Sequence, residues 1–225
     1  MITKDFLPGH SDITVYQDDE MFRINTDTQV LGEFIEVYRN DVVLDMGTNT
    51  GALLLYASLF HPKKLIGLDI NERSLALAKR NLLINNIDNF ELVHDDIITY
   101  KGEEVDVIIC NPPYFKTKTD NLCENEYLAL AKHEGNLTID KLIASIRRNL
   151  KNYGTVYLLY QSSRLQELMI ELKKNKLRVK TIKFVYDEHK PYSNVVLIKA
   201  VKGGNVGMNV EKPIIIERNN LWKQF

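Results

Sequence analysis

From residue 41 onward the chain alternates short apolar runs with longer stretches whose apolar residues recur at helical spacing. Residues 42–46, 65–70, 90–94 and 105–110 have the length and aliphatic content of strands covered on both faces. Residues 52–60 read as a helix closed by His61-Pro62. Asn71 then caps a second helix through Leu75, Leu77, Ala78 and Leu82, which Asn85-Asn86 ends. Further on, residues 138–150 and 163–174 read as helices on either side of a fifth strand at 155–160, with Asn152-Tyr153-Gly154 closing the first. Strands at 179–186 and 195–201 follow. Such alternation predicts an α/β fold with a mostly parallel sheet and right-handed crossovers. Residues 187–194 are too few for a helical crossover, so the seven-stranded sheet should end in an antiparallel hairpin.

Residues 1–40 lie outside this alternation. Residues 13–24 suggest a small hairpin around Asp18-Asp19-Glu20, and residues 26–38 a helix starting at Thr26 or Asp27. A length of 225 residues suits a single domain, divided into a lead-in (1–40), a core (41–203) and a C-terminal segment (204–225) with an isolated Trp222. Neither a leader pattern at Met1-Ile2-Thr3-Lys4-Asp5 nor an apolar run near 18 residues is present, which predicts a cytoplasmic protein with no membrane span. Cys110 and Cys123 give no disulfide framework or metal spacing, so no metal is expected. With a net charge of −1 there is no global basic field. Lys173, Lys174, Lys176, Arg178, Lys180 and Lys183 crowd one segment, which reads as a solvated helix end and loop or as a local phosphate-binding patch. A monomer is expected.

Three strand ends carry candidate binding chemistry. After the first strand comes Asp45-Met46-Gly47-Thr48-Asn49-Thr50-Gly51, whose glycines let the backbone turn sharply beside a ligand at a helix N-terminus. Asp69, followed by Ile70, closes the second strand 24 residues later, near the spacing of about 20 at which an acidic residue meets a ribose. After the third strand, Asp95-Asp96-Ile97 offers a carboxylate for an adenine amine and an N–H for a ring nitrogen. The loop lacks the third glycine of the dinucleotide fingerprint.

Asn111-Pro112-Pro113-Tyr114 follows the fourth strand, where open α/β sheets bind ligands. Two prolines remove two N–H donors and fix φ, leaving a stiff turn rich in acceptors. An amide, carbonyls and an aromatic face suit a planar group bearing –NH₂. The same residues also read as an ordinary strand-ending turn with a surface Tyr.

These features resemble those of the S-adenosylmethionine-dependent methyltransferases, whose Rossmann-like (class I) fold has such a sheet and terminal hairpin. Their loop reads acidic-x-G-x-G-x-G, and this chain has Asn49 at the middle glycine. The Asn-Pro-Pro-Tyr box is shared by enzymes acting on adenine N6, cytosine N4, guanine N2 and glutamine N5. Other segments resemble the bacterial tRNA(Val) adenine-N6 methyltransferases. They are Phe22-Arg23-Ile24-Asn25-Thr26-Asp27 with Val30-Leu31-Gly32, the extension of the box to Phe115, and Ala131-Lys132-His133-Glu134 for that family's "ARHE". Lys202-Gly203-Gly204 through Pro213-Ile214-Ile215-Ile216-Glu217 resembles its closing segment.

The resemblance implies S-adenosylmethionine as cofactor and the anticodon loop of tRNA, at adenine-37, as partner. It assigns cofactor binding to Asp27, Asp45, Gly47, Asn49, Gly51, Asp69, Ile70, Asp96 and Ile97. Catalysis falls to Asn111, Pro112, Pro113 and Tyr114, and substrate contact to Phe115, Lys132 and His133. Asp27 reads equally as a helix cap, and 132–134 as a solvated helix turn. The charges of residues 115–136 nearly cancel, which suits a lid that orders on RNA. Other acceptors within the same chemistry are guanine N2, DNA adenine and glutamine N5, although only about 40 residues precede the core for a glutamine enzyme's helical domain. A non-catalytic cofactor-binding subunit is the alternative from another class.

Overall fold

In the computed structural model, which describes residues 1–112 and 137–217, burial follows the apolar runs. All five residues of β3 (Val42–Met46) are buried, as are five of six in β6 (Val105–Cys110). With β4 (Lys64–Asp69), β5 (Phe90–His94) and β7 (Leu150–Gln161) they form the parallel part of the sheet. β9 (Val195–Lys202) runs antiparallel to β7 and to β8 (Leu177–Asp187), the terminal hairpin expected from the short 187–194 connection.

Among the described residues the sheet has nine strands rather than seven. The two extra ones, β10 (Asn209–Val210) and β11 (Ile214–Ile216), come from the C-terminal segment and pair in parallel with the outer side of β8. Both are too short to show a period in the sequence; β10 is exposed, and Ile214 and Ile216 of β11 are partly buried. The order is β5-β4-β3-β6-β7-β9-β8-β10, with β11 also on β8. Strand order reverses between β3 and β6, and a crevice opens at such a switch point.

Helices α1 (Thr26–Phe34), α2 (Ala52–Ser58) and α3 (Glu72–Ile84) belong to one face of the sheet, α4 (Ile139–Asn149) and α5 (Leu165–Lys174) to the other. Each face has its own core. Leu54 and Leu55 of α2 with Leu31 of α1 build one, and Leu142, Ile143 and Ile146 with Leu168 and Leu172 build the other. No described helix is long and apolar enough to cross a membrane.

The N-terminal hairpin differs from the sequence expectation. It pairs β1 (Ile2–Leu7) with β2 (His10–Asp18) around Pro8-Gly9, while Asp18-Asp19-Glu20 lies at its exit. Thr3, Lys4 and Asp5 fill the middle of β1 and only Leu7 is buried, so the strand carried little apolar signal. α1 stops at Phe34, because Ile35 is already extended with ψ at 149°. Its N-cap is Asn25, whose side chain accepts the Thr28 N–H, so neither Thr26 nor Asp27 is the cap. α4 likewise ends at Asn149, and Tyr153, with φ at +66°, lies in the irregular start of β7.

α3 holds the hairpin in place with two side-chain amides. Asn81 accepts the Tyr16 N–H at 2.7 Å and donates to the Tyr16 carbonyl at 3.0 Å. Asn85 makes the same pair of bonds to Thr14, at 3.0 and 2.8 Å. The two amides take the places that a neighbouring strand would fill.

Candidate active site

The glycine loop and the Asn-Pro-Pro-Tyr box start side by side. Met46 and Cys110 are partners in the β3–β6 register, so Gly47 and Asn111 are the next residues along neighbouring strands. Here the chain opens into a cavity of about 290 Å³. Gly47, Asn49, Asp69, Ile70, Asp96, Ile97, Asn111, Pro112 and Asp27 all line it, drawn from five separate stretches of sequence. Asp45 and Gly51 are not among the lining residues. Pro113, Tyr114, Phe115, Lys132 and His133, and the proposed lid, lie outside the described residues.

The loop after β3 is held by main-chain bonds. Gly47 and Thr48 both donate to the Leu68 carbonyl, at 2.8 and 2.9 Å. Gly47 has φ at +82°, and a Cβ there would meet only the Ile97 side chain, at 3.8 Å across the cleft. A side chain would therefore stand in the space a ligand needs. Gly51 serves packing instead. Its φ is +81°, and a Cβ would come within 3.1 Å of the Ala78 Cβ on α3.

Asp45 sits beneath this loop, fully buried, with one carboxylate oxygen accepting the Thr48 hydroxyl at 2.8 Å. Its other oxygen is buried with no hydrogen-bond partner. Burial is the main reason its carboxyl is pushed up to about 7; the Thr48 bond opposes the shift and nearby Asp69 adds to it. It shapes the loop from behind rather than facing the cavity.

Asp69 is better placed for a ligand. Its Oδ2 accepts the Asn49 N–H at 2.7 Å and its Oδ1 the Asn71 N–H at 2.9 Å. A carboxylate has about four acceptor sites, so acceptor capacity remains for a ligand hydroxyl. Burial raises its pKa, and the N–H bonds counter that shift. Asp96 accepts the Ile98 N–H at 2.8 Å, which aims its carboxyl from the turn after β5.

The cavity also has walls that the strand-end motifs did not announce. Met21, Phe22, Arg23 and Ile24 form a strap between β2 and α1, and Leu137 precedes α4. Phe22, Arg23 and Ile24 fell inside the resemblance to the lead-in and Met21 did not, and no periodicity marks a strap. The basic segment lies elsewhere. β8 runs parallel to β6, so Lys173, Lys174, Lys176 and Arg178 gather at its starting end, opposite the end where Asn111 emerges.

The sequence profile of the methyltransferase small domain matches residues 12–185. The chain belongs to that family. Among relatives, a Bacteroides thetaiotaomicron protein named tRNA1(Val) (adenine(37)-N6)-methyltransferase is 33% identical over 147 residues, 63% of this chain and 61% of that one. The match thus spans less than two thirds of that relative's length. A Cytophaga hutchinsonii protein of the same name is 28% identical over 191 residues, 82% of this chain and 79% of that protein. A Methanocaldococcus jannaschii protein provisionally named a protein N5-glutamine methyltransferase is 30% identical, covering 64% of this chain and 73% of its own. Among solved structures, a Pyrococcus furiosus methyltransferase superposes with a TM-score of 0.62 at 20% identity, over 84% of this chain and 89% of that one.

The fold is thus the Rossmann-like class I methyltransferase fold. The cofactor of this methyltransferase family is S-adenosylmethionine, and the donor set fits it. A side-chain-free approach at Gly47, two carboxylates on successive strand ends and the apolar Ile70 and Ile97 suit a nucleoside with an amine and two hydroxyls.

Proposed function

We propose that this chain transfers a methyl group from S-adenosylmethionine to the N6 amine of an adenine in tRNA, in the cytoplasm, with adenine-37 of a valine tRNA as target. One observation carries the chemistry. Asn111 and Pro112 line the same cavity as Gly47, Asn49, Asp69 and Asp96, beside the paired ends of β3 and β6. The names of the Bacteroides and Cytophaga relatives support the substrate.

When bound, the cofactor supplies a methyl already activated on a sulfonium. Asp69 would take the ribose hydroxyls, Asp96 the adenine amine, Ile70 and Ile97 the faces of the ring, and Asp27 the methionine end. An exocyclic aromatic amine is a weak nucleophile because its lone pair is delocalised into the ring. The Asn111 side-chain oxygen and the Pro112 carbonyl would each accept one N–H, draw the nitrogen toward tetrahedral geometry and free that lone pair. Pro113 would keep the turn stiff, while Tyr114 and Phe115 would stack on the base and Lys132 and His133 would meet the RNA. Orientation and fixed dipoles would supply the catalysis, with the proton leaving to solvent. An unpaired anticodon-loop base is also less costly to extrude than a duplex one.

The test is methylation of total tRNA with labelled cofactor, followed by nucleoside analysis. N6-methyladenosine in a valine tRNA is the expected product. The match to the Methanocaldococcus protein favours a second reading, glutamine N5 of a protein, for which label would appear in protein and not in tRNA.

A further inference from the structure

Asn49 occupies the loop position where the methyltransferase pattern has its middle glycine, and it does something glycine cannot. Its φ of +47° is left-handed, a conformation that Asn tolerates better than most residues. The main-chain N–H donates to Asp69, a bond glycine would also make. The side-chain amide reaches across the cavity wall and donates to the Phe22 carbonyl at 2.5 Å.

Phe22 lies in the middle of the strap. The strap's ends are fixed elsewhere: Met21 N–H donates to the Asp18 carbonyl at 3.0 Å and Ile24 N–H to the buried Gln17 side chain at 2.8 Å. Between those anchors Phe22 is 53% exposed, while the neighbouring Arg23 guanidinium donates to Asp19 at 2.8 Å, on the hairpin side. The Asn49 bond ties this middle section to the cofactor loop, and the same residue holds one oxygen of the ribose-facing carboxylate.

We propose that Asn49 is a positioning residue that latches the strap over bound S-adenosylmethionine and thereby sets how fast the cofactor leaves. The proposal rests on the cofactor reading given above. Strap, loop and Asp69 are joined through one residue, so release of the cofactor requires the Asn49–Phe22 bond to open. A chain with glycine here would keep the turn and the carboxylate but lose the tie.

The full-length wild type, Asn49→Gly and Asn49→Asp are compared by S-adenosylmethionine dissociation in a stopped-flow chase and by hydrogen exchange. Glycine accepts the left-handed turn without strain, so that variant should fold normally. Its dissociation rate should rise roughly threefold to tenfold, the scale of one amide–carbonyl bond. Exchange should quicken at residues 21–24 while residues 65–69 keep their protection. Asn49→Asp removes the donor and sets a second carboxylate beside Asp69, so it should release cofactor at least as fast. Dissociation and strap exchange unchanged in Asn49→Gly would overturn the latch alone. A wild type that binds no S-adenosylmethionine would overturn the cofactor reading and the latch with it.

Discussion

Asn111 is half-buried at the rim of the cavity, and Pro112 behind it is buried. This placement separates two proposed tasks within one cavity. Replacing Asn111 by Ala would remove the acceptor proposed for the incoming amine without touching Asp69 or Asp96. Methyl transfer should fall at least roughly 100-fold, the scale on which one preorganised polar contact to a reacting group acts. Cofactor affinity measured by calorimetry should stay near the wild-type value. Appreciable turnover in that variant would dispose of the role proposed for Asn111. At this scale the sequence was a good guide to which residues gather, since Asp69, Asp96 and Asn111 each follow a strand end. It was a poor guide to which way each one faces. Asp45 shares a strand end with Gly47, yet it turns under the loop to hold Thr48, and no spacing distinguishes the two outcomes.

The N-terminal hairpin is the element least legible beforehand and the one most dependent on side chains for its position. Its turn at Pro8-Gly9 was visible as residues, but the polar run Thr3-Lys4-Asp5 concealed the strand leading into it. Core strands such as β3 could be recognised because burial on both faces leaves an unbroken apolar run. Asn81, fully buried on α3, bonds to both main-chain groups of Tyr16 and also donates to the Thr50 carbonyl at 2.9 Å. Asn81→Ala leaves these groups unpaired, and unfolding free energy should drop by roughly 2–4 kcal/mol in urea titrations. Hydrogen exchange should rise first in residues 2–18. A hairpin that keeps its protection in this variant would mean that Asn85 and the apolar contacts of Leu7, Ile13 and Val15 suffice to hold it.

At the scale of the whole molecule, the same buried Asp45 makes stability depend on pH. Its carboxyl titrates near 3.8 when free and at about 7 in the folded chain, mainly because burial disfavours the charge. Between those values the folded state keeps a proton that the unfolded state has lost. Stability therefore declines as pH rises through this window, and the contribution is gone above the folded value. Asp45→Asn keeps an acceptor for the Thr48 hydroxyl and cannot ionise. Relative to wild type, it should gain roughly 2–4 kcal/mol between pH 5 and pH 8 in denaturant unfolding. Parallel pH curves for the two proteins would refute this account.

The pairing of Met46 with Cys110 fixes more than an address. The loop that would cradle the methyl donor and the turn that would hold the acceptor leave adjacent strands of one hydrogen-bonded ladder, about 4.8 Å apart. Thermal motion of the sheet then carries both together, as two marks on a single ruler. Fluctuations of the surrounding walls change who enters and how long they stay, while the reach from donor to acceptor stays constant.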